Sequence, residues 1–171
     1  MVNRNDVNPL KPFTNQSLLL EIKEYLQQRI SGHVILEVAN PQFEEVRIAF
    51  KLQLVAGYTD FTYYSNQLKQ EITSYLTPWA YNNQVEVQFG GKVYKSSLIN
   101  FIEERPYVEY ITDVKMYHII NQVNNNLDVE EITASTARSI LVSVQASAHV
   151  IALADPITPN TINDCRTAMA K

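Results

Sequence analysis

The chain has 171 residues, 46% hydrophobic and 19% charged, with a formal net charge of −4 and a pI near 5.4. That balance suits one globular domain, or one domain with an extension. The acidic charge without any basic cluster argues against a general nucleic-acid or membrane-surface binder, the single Cys165 rules out an internal disulfide framework, and no apolar run reaches transmembrane length.

Residues 1–14 are Asn-rich, carry Pro9 and Pro12 and show no periodicity, so they read as an extended arm tethered by Leu10 and Phe13. They are polar and lack the apolar core of a signal peptide. The spacing of Leu18, Ile22, Tyr25, Leu26 and Ile30 predicts a helix over 17–30 with one apolar stripe. Thr14, Asn15 or Ser17 can cap it, and Ser31-Gly32 ends it. A strand is predicted over 33–39, with Val34, Leu36 and Val38 on one face, then a turn at Asn40-Pro41. The clearest strand spans 46–55: Val46, Ile48, Phe50, Leu52 and Leu54 alternate with mostly polar residues.

Asp60 is placed to cap a second helix reaching Leu76, with Phe61, Tyr64, Leu68, Ile72, Tyr75 and Leu76 as its buried stripe. Pro78 stops that helix and sets Leu76 and Trp79 against something apolar. Val85, Val87 and Phe89 alternate with Gln84, Glu86 and Gln88, a strand pattern, and Gly90-Gly91 suits a tight turn. Ser96 or Ser97 can cap a short helix carrying Leu98, Phe101 and Ile102, which Arg105-Pro106 ends. An extended run over 107–118 follows.

The order to this point is α-β-β-α-β-α-β. It predicts an α+β fold: an antiparallel sheet with the two main helices on one face, a ferredoxin-like variant. Residues 121–130 read as an exposed Asn-rich loop, and Glu131–Ser135 as a short strand. Ser139–Val144 and His149–Leu153 read as a C-terminal β-hairpin extension around Gln145–Ala148. Residues 155–171 read as a loose tail, with a weak helical turn over 161–169. The expected division is an N-terminal arm 1–14, a core domain 15–120, a loop and hairpin 121–154, and the tail 155–171.

The runs LTPWAY, FGGKVYKSSLINFIEERPYV and YITDVKMY resemble the C-terminal region of baseplate J-like proteins of phage contractile tails and related contractile injection systems. NPLKPFT, LLLEIKEYLQQRI and ANPQFEEVRIAF fit the same region, so the resemblance spans roughly residues 8–120. It implies a structural role in a baseplate wedge. It also implies partners among other baseplate subunits and assembly in the cytoplasm into a phage-tail-like particle; self-association is expected separately, from the apolar hairpin. Full J-like proteins are longer, so the resemblance leaves open an excised fragment or a naturally short relative.

No residue set converges on chemistry. His33, His118 and His149 share no metal-ligand spacing, so no metal is expected. Glu103-Glu104-Arg105 is the tightest charge cluster, but adjacent helix positions point about a hundred degrees apart and read as a solvated helix end. Gly90-Gly91-Lys92 lacks the rest of a phosphate loop. Ser139 and Ser143 lack a nucleophile elbow. The expectation is no enzyme, no cofactor, no small-molecule substrate, no nucleic acid and no membrane.

The competing reading is a carbohydrate- or peptide-binding module using exposed tyrosines among Tyr63, Tyr64, Tyr75, Tyr81, Tyr94, Tyr107, Tyr110 and Tyr117. Core packing explains such residues first, and protein interfaces second. The hairpin supplies the expected partner interface. Ile140, Leu141 and Val142 run nearly continuously, Val150 and Ile151 follow, and an apolar two-stranded element needs a cover.

Overall fold

The computed structural model describes residues 8–82, 84–121, 123–124 and 127–155. The expected tail with its helical turn and Cys165 lies outside these residues, apart from Asp155. One long strand organises the rest. β1 (Gln42–Leu54) buries Glu44, Val46, Ile48, Phe50, Leu52 and Leu54 on one face, as strict alternation demands. β3 (Val108–Ile120) pairs with it antiparallel along most of its length. The register slips around Phe50, where Asp113 takes a φ of 53° in a bulge. β4 (Val123–Asn124) extends the β3 side.

The other edge of β1 corrects the sequence reading. β6 (Ser139–Ser143) and β7 (Val150–Leu153) do not form a hairpin. Both run parallel to β1, end to end along its edge, β6 against 42–46 and β7 against 49–52. A short 3₁₀ turn over 146–148 carries the chain between them. The sheet is therefore mixed rather than antiparallel. The strand predicted over 33–39 forms no ladder, and neither does the one predicted over 85–89. A separate small ladder joins β2 (Lys92–Tyr94) to β5 (Glu131–Thr133).

Two helices cover the buried face of β1. α2 (Phe61–Leu76) starts where expected, with Asp60 accepting the Tyr63 N–H at 2.9 Å. It supplies Leu68, Ile72 and Leu76 to the core. α3 (Lys95–Glu103) supplies Leu98 and Ile102. Its N-cap is Tyr94, without a side-chain bond, instead of Ser96 or Ser97. Leu141 of β6 joins this core, while Ile140 and Val142 point to the other face and pack on Trp79. Trp79 sits in a 3₁₀ turn over 78–80, directly after Pro78 breaks α2.

The expected partner of α2 on that face was the first helix. α1 (Gln16–Gln27) forms, capped by Asn15 through the Leu18 N–H at 2.8 Å, yet it buries no residue. With residues 11–14 it forms an arm longer than the expected 1–14, joined to the rest of the fold at a few points. Thr14 exchanges two hydrogen bonds of 2.9 Å with the Asn40 side chain. Lys11 pairs with Glu45 at 2.6 Å, and Phe13 meets Phe43 edge-on at 5.9 Å.

Candidate functional site

The groups that look catalytic are fasteners. Glu44 is fully buried on β1, and its carboxylate accepts His118 Nε2–H at 2.7 Å, the Ser135 N–H at 3.1 Å and the Ser135 hydroxyl. Burial raises its pKa, but the bonds from Ser135, Ser139 and His118 outweigh that and hold it below the usual carboxylate value. A nucleophilic relay needs the hydroxyl on the imidazole. Here hydroxyl and imidazole both serve the carboxylate, so the group ties the 134–139 loop to β1 and β3.

His149 and Ser143 form a second buried pair. His149 Nδ1 accepts the Ile48 N–H at 3.2 Å, so Nε2 carries the proton and donates to Ser143 Oγ at 2.9 Å. Ser143 passes its own proton to the Val144 carbonyl at 2.8 Å. The proton chain runs away from the imidazole, the reverse of base activation. Burial, with Lys69 and Arg47 adding repulsion, lowers the imidazole pKa to about 4. The ring stands in for a ladder residue where the chain leaves β1 between β6 and β7.

The other sequence candidates are also engaged. Glu104 accepts the Asn100 amide at 2.8 Å, while Arg105 lies 4.4 Å over Phe101 and 3.7 Å from Glu71 of α2. Lys92 pairs with Glu131 at 2.6 Å and the Gly90 N–H donates to Ser139, so no cradle of amides awaits a phosphate. Among the described residues no three His, Cys, Asp or Glu side chains converge, and no helix there is long and apolar enough to cross a membrane.

Lys95 is nearly buried at the start of α3, where a cation is unfavourable. Asp128 at 2.9 Å and Glu130 at 2.7 Å hold it. The tyrosines do not gather on one platform. Tyr58 meets Tyr64 and Tyr107 edge to face, and Tyr64 lies tilted against Tyr107 with ring centroids 5.2 Å apart. Tyr107 donates to Glu71 at 3.0 Å, and burial with that neighbouring charge pushes its phenol up. Tyr75 stacks on Phe101 at 4.2 Å.

Among the described residues, two features stand out as available to a partner. One is a cleft of about 280 Å³ lined by Trp79, Val85, Glu86, Gln88, Tyr94 and Leu141 among others. The other is the arm. Leu20 is 52% exposed, Tyr25 57% and Ile35 99%, and Phe13, Ile22, Leu26 and Val34 are exposed as well. Apolar side chains scattered singly over a surface need no explanation, but a run of them on one segment marks an interaction site.

The residues expected at the interface lie elsewhere. Ile140, Leu141 and Val142 are buried within the chain, and Ile151 is half-buried. Only Val150, 52% exposed, has area to offer. Sequence reasoning placed the arm's stripe against the core. The signal that pointed outward was its width: Leu19 and Leu20 fall outside the assigned stripe, and Val34-Ile35 puts apolar side chains on both sides of the chain.

A family model described as baseplate protein PVC11-like matches residues 2–146. Among solved structures, a chain from a cryo-EM structure of the anti-feeding prophage (AFP) baseplate, 6-fold symmetrised, matches with a TM-score of 0.58 and 17% identity. The match covers 77% of this chain and 26% of that one, so the chain spans about a quarter of the length of its relative. At that identity the likeness is one of fold. No curated protein matches.

Proposed function

Because this chain belongs to the PVC11-like family of baseplate proteins, we propose that it serves as a structural subunit whose N-terminal arm grips a neighbouring baseplate subunit. The sheet with α2 and α3 is the rigid block, and residues 13–35 are the contact. The observation that carries this is α1, a helix with no buried residue and with Leu20, Ile22, Tyr25 and Leu26 exposed. A helix of this length is marginal alone in water, so a partner that covers its apolar residues also stabilises the helix.

The likeness of the 76–117 stretch to J-like proteins supports a place in the baseplate wedge. In such a wedge, rearrangement on sheath contraction requires contacts whose strength differs between the two states. The role asks for no catalysis, cofactor, nucleic acid or membrane. Its partners are other baseplate subunits or a second copy, met during assembly in the cytoplasm.

The test is reconstitution of baseplates with the double variant Leu20→Asp, Tyr25→Asp in the full chain. We expect a folded protein that is left out of the assembled particles. Incorporation at the parent level would overturn the assignment of the arm.

A further inference from the structure

Residues 84–91 carry a strand pattern without being a strand. Val85, Val87 and Phe89 alternate with Glu86 and Gln88, yet among the described residues the segment meets the main sheet by one backbone bond, Gly90 N–H to Ser139 O at 2.9 Å, while Gly91 O accepts the Ala134 N–H at 3.1 Å beside the small ladder. Beside it β6 presents an edge. Gln42 N–H donates to Arg138 O and Val144 N–H to Val46 O. The even-numbered residues of β6 therefore face β1, and Ser139, Leu141 and Ser143 turn their backbone groups away from it.

Ser139 O holds Gly90, and Ser143 N–H donates to Thr77 Oγ1 at 3.0 Å. Between these two points, among the described residues, nothing hydrogen-bonds the N–H or C=O of Leu141. Leu141 is buried, and backbone groups left unpaired in such a place are rare. The 280 Å³ cleft opens there, lined both by Leu141 and by Val85, Glu86 and Gln88. Trp79 Nε1, next to the same segment, is likewise buried with no hydrogen-bond partner among the described residues.

We propose that residues 85–90 are a strap that closes onto β6 as the outermost strand of the sheet, antiparallel, with Gln88 opposite Leu141. The register follows from the bond already present. Stepping two residues along each strand from the Gly90–Ser139 contact gives Gln88–Leu141, whose N–H and C=O groups then satisfy each other. The same register sets Phe89 opposite Ile140 and Val87 opposite Val142. The strap's apolar residues fall on the face that holds Trp79, where Val87 already packs. A slip of one residue would send all of them to the wrong face. Thr77 ends the ladder by occupying Ser143. Gly90, at a φ of 64°, is the pivot, a conformation that most other residues resist. Closing fills the cleft. Opening bares a strand edge, the usual template for a strand from another chain.

The test is NMR on the full chain. The closed strap gives a short Hα–Hα contact between Phe89 and Ile140 and a protected Leu141 amide. Gln88→Pro removes the donor of the new rung and should speed Leu141 exchange about tenfold, whereas Gln88→Ala should not. The Ile48 amide, held by His149, reports the fold and should stay protected in both. The strap is overturned if the parent lacks the Phe89–Ile140 contact, or if Gln88→Pro leaves Leu141 exchange unchanged with Ile48 protected. If Gln88→Pro unfolds the protein, the Phe89–Ile140 contact in the parent decides alone.

Discussion

α1 and α2 carry apolar stripes of similar spacing, and their fates are opposite. In α2, Leu68 and Ile72 have no exposed surface, while in α1 no residue is buried. Both helices are capped in the same way, by a side-chain oxygen three residues ahead of the amide it holds. A stripe therefore says that a helix has something to bury and leaves open against what. α2 has its answer inside the chain, in β1 and α3. Among the described residues α1 is held through the residues before it and at Asn40, and in the proposed function its cover comes from a neighbouring subunit. A rigid sheet with an unsatisfied arm is the division of labour expected of an assembly subunit.

The sharpest way to break that contrast is to attack the block. Leu141→Asp puts a carboxyl group, charged or forced neutral, into the core cluster that also holds Leu68, Ile72 and Leu98, at a cost of several kcal/mol out of the ~5–15 kcal/mol a domain has. We expect global loss of the folded state by far-UV circular dichroism. A folded monomer would mean that β6 is an appendage after all. Trp79→Ala comes next. It empties the contact with Ile140 and Val142 and should cost about 3–5 kcal/mol in urea unfolding.

Acid is the next probe, and its sign is fixed by two buried groups. The His149 pKa is lowered to about 4 in the folded chain from 6.5. The unfolded chain therefore binds the extra proton first. Stability from this group is full above about pH 6.5 and drains as pH falls toward 4, by about 3 kcal/mol. Glu44 is held below its usual pKa, so its share persists above pH 4.5 and is lost below it. Both slopes have the same direction. We expect the urea midpoint to drop between pH 7 and 4, and His149→Gln to flatten the upper half of that drop. A parent midpoint that does not move would show that neither group is a fastener.

Those fasteners also show what the sequence could not reveal. Asp60, Pro78, Arg105-Pro106 and the alternation through β1 act over a few residues, so they were legible. The bonds from Glu44 to Ser135 and from Ile48 to His149 join residues 91 and 101 positions apart, and no local pattern announces them. The same holds for topology. A strand buried on both faces and a strand waiting for a partner chain both read as the continuous run Ile140-Leu141-Val142. The parallel addition of β6 and β7 to β1 decides between them. Residues 33–39 alternate like a strand, but no neighbour completes a ladder. β2 is too short for periodicity to find, whereas β5 falls inside the short strand expected over 131–135. The first helix was legible as a helix and its exposure was not, because placing it against the core satisfied the same stripe.

The smallest expected effect bears most directly on the arm. Asn15→Ala removes the cap of α1, which typically costs a helix about 1 kcal/mol. If α1 were part of the cooperative block, that cost would appear in full in the global unfolding midpoint, as it should for Asp60→Ala at the matching position of α2. A helix that buries no residue is expected to unfold locally, at a free energy far below that of the whole molecule. We therefore expect Asn15→Ala to raise amide exchange throughout α1 while leaving the midpoint within error, and Asp60→Ala to lower the midpoint by about 1 kcal/mol. Equal shifts from the two caps would mean that α1 and α2 belong to one unit. The partner surface would then have to be sought away from the arm, beginning with Val150 and the outer edge of β7.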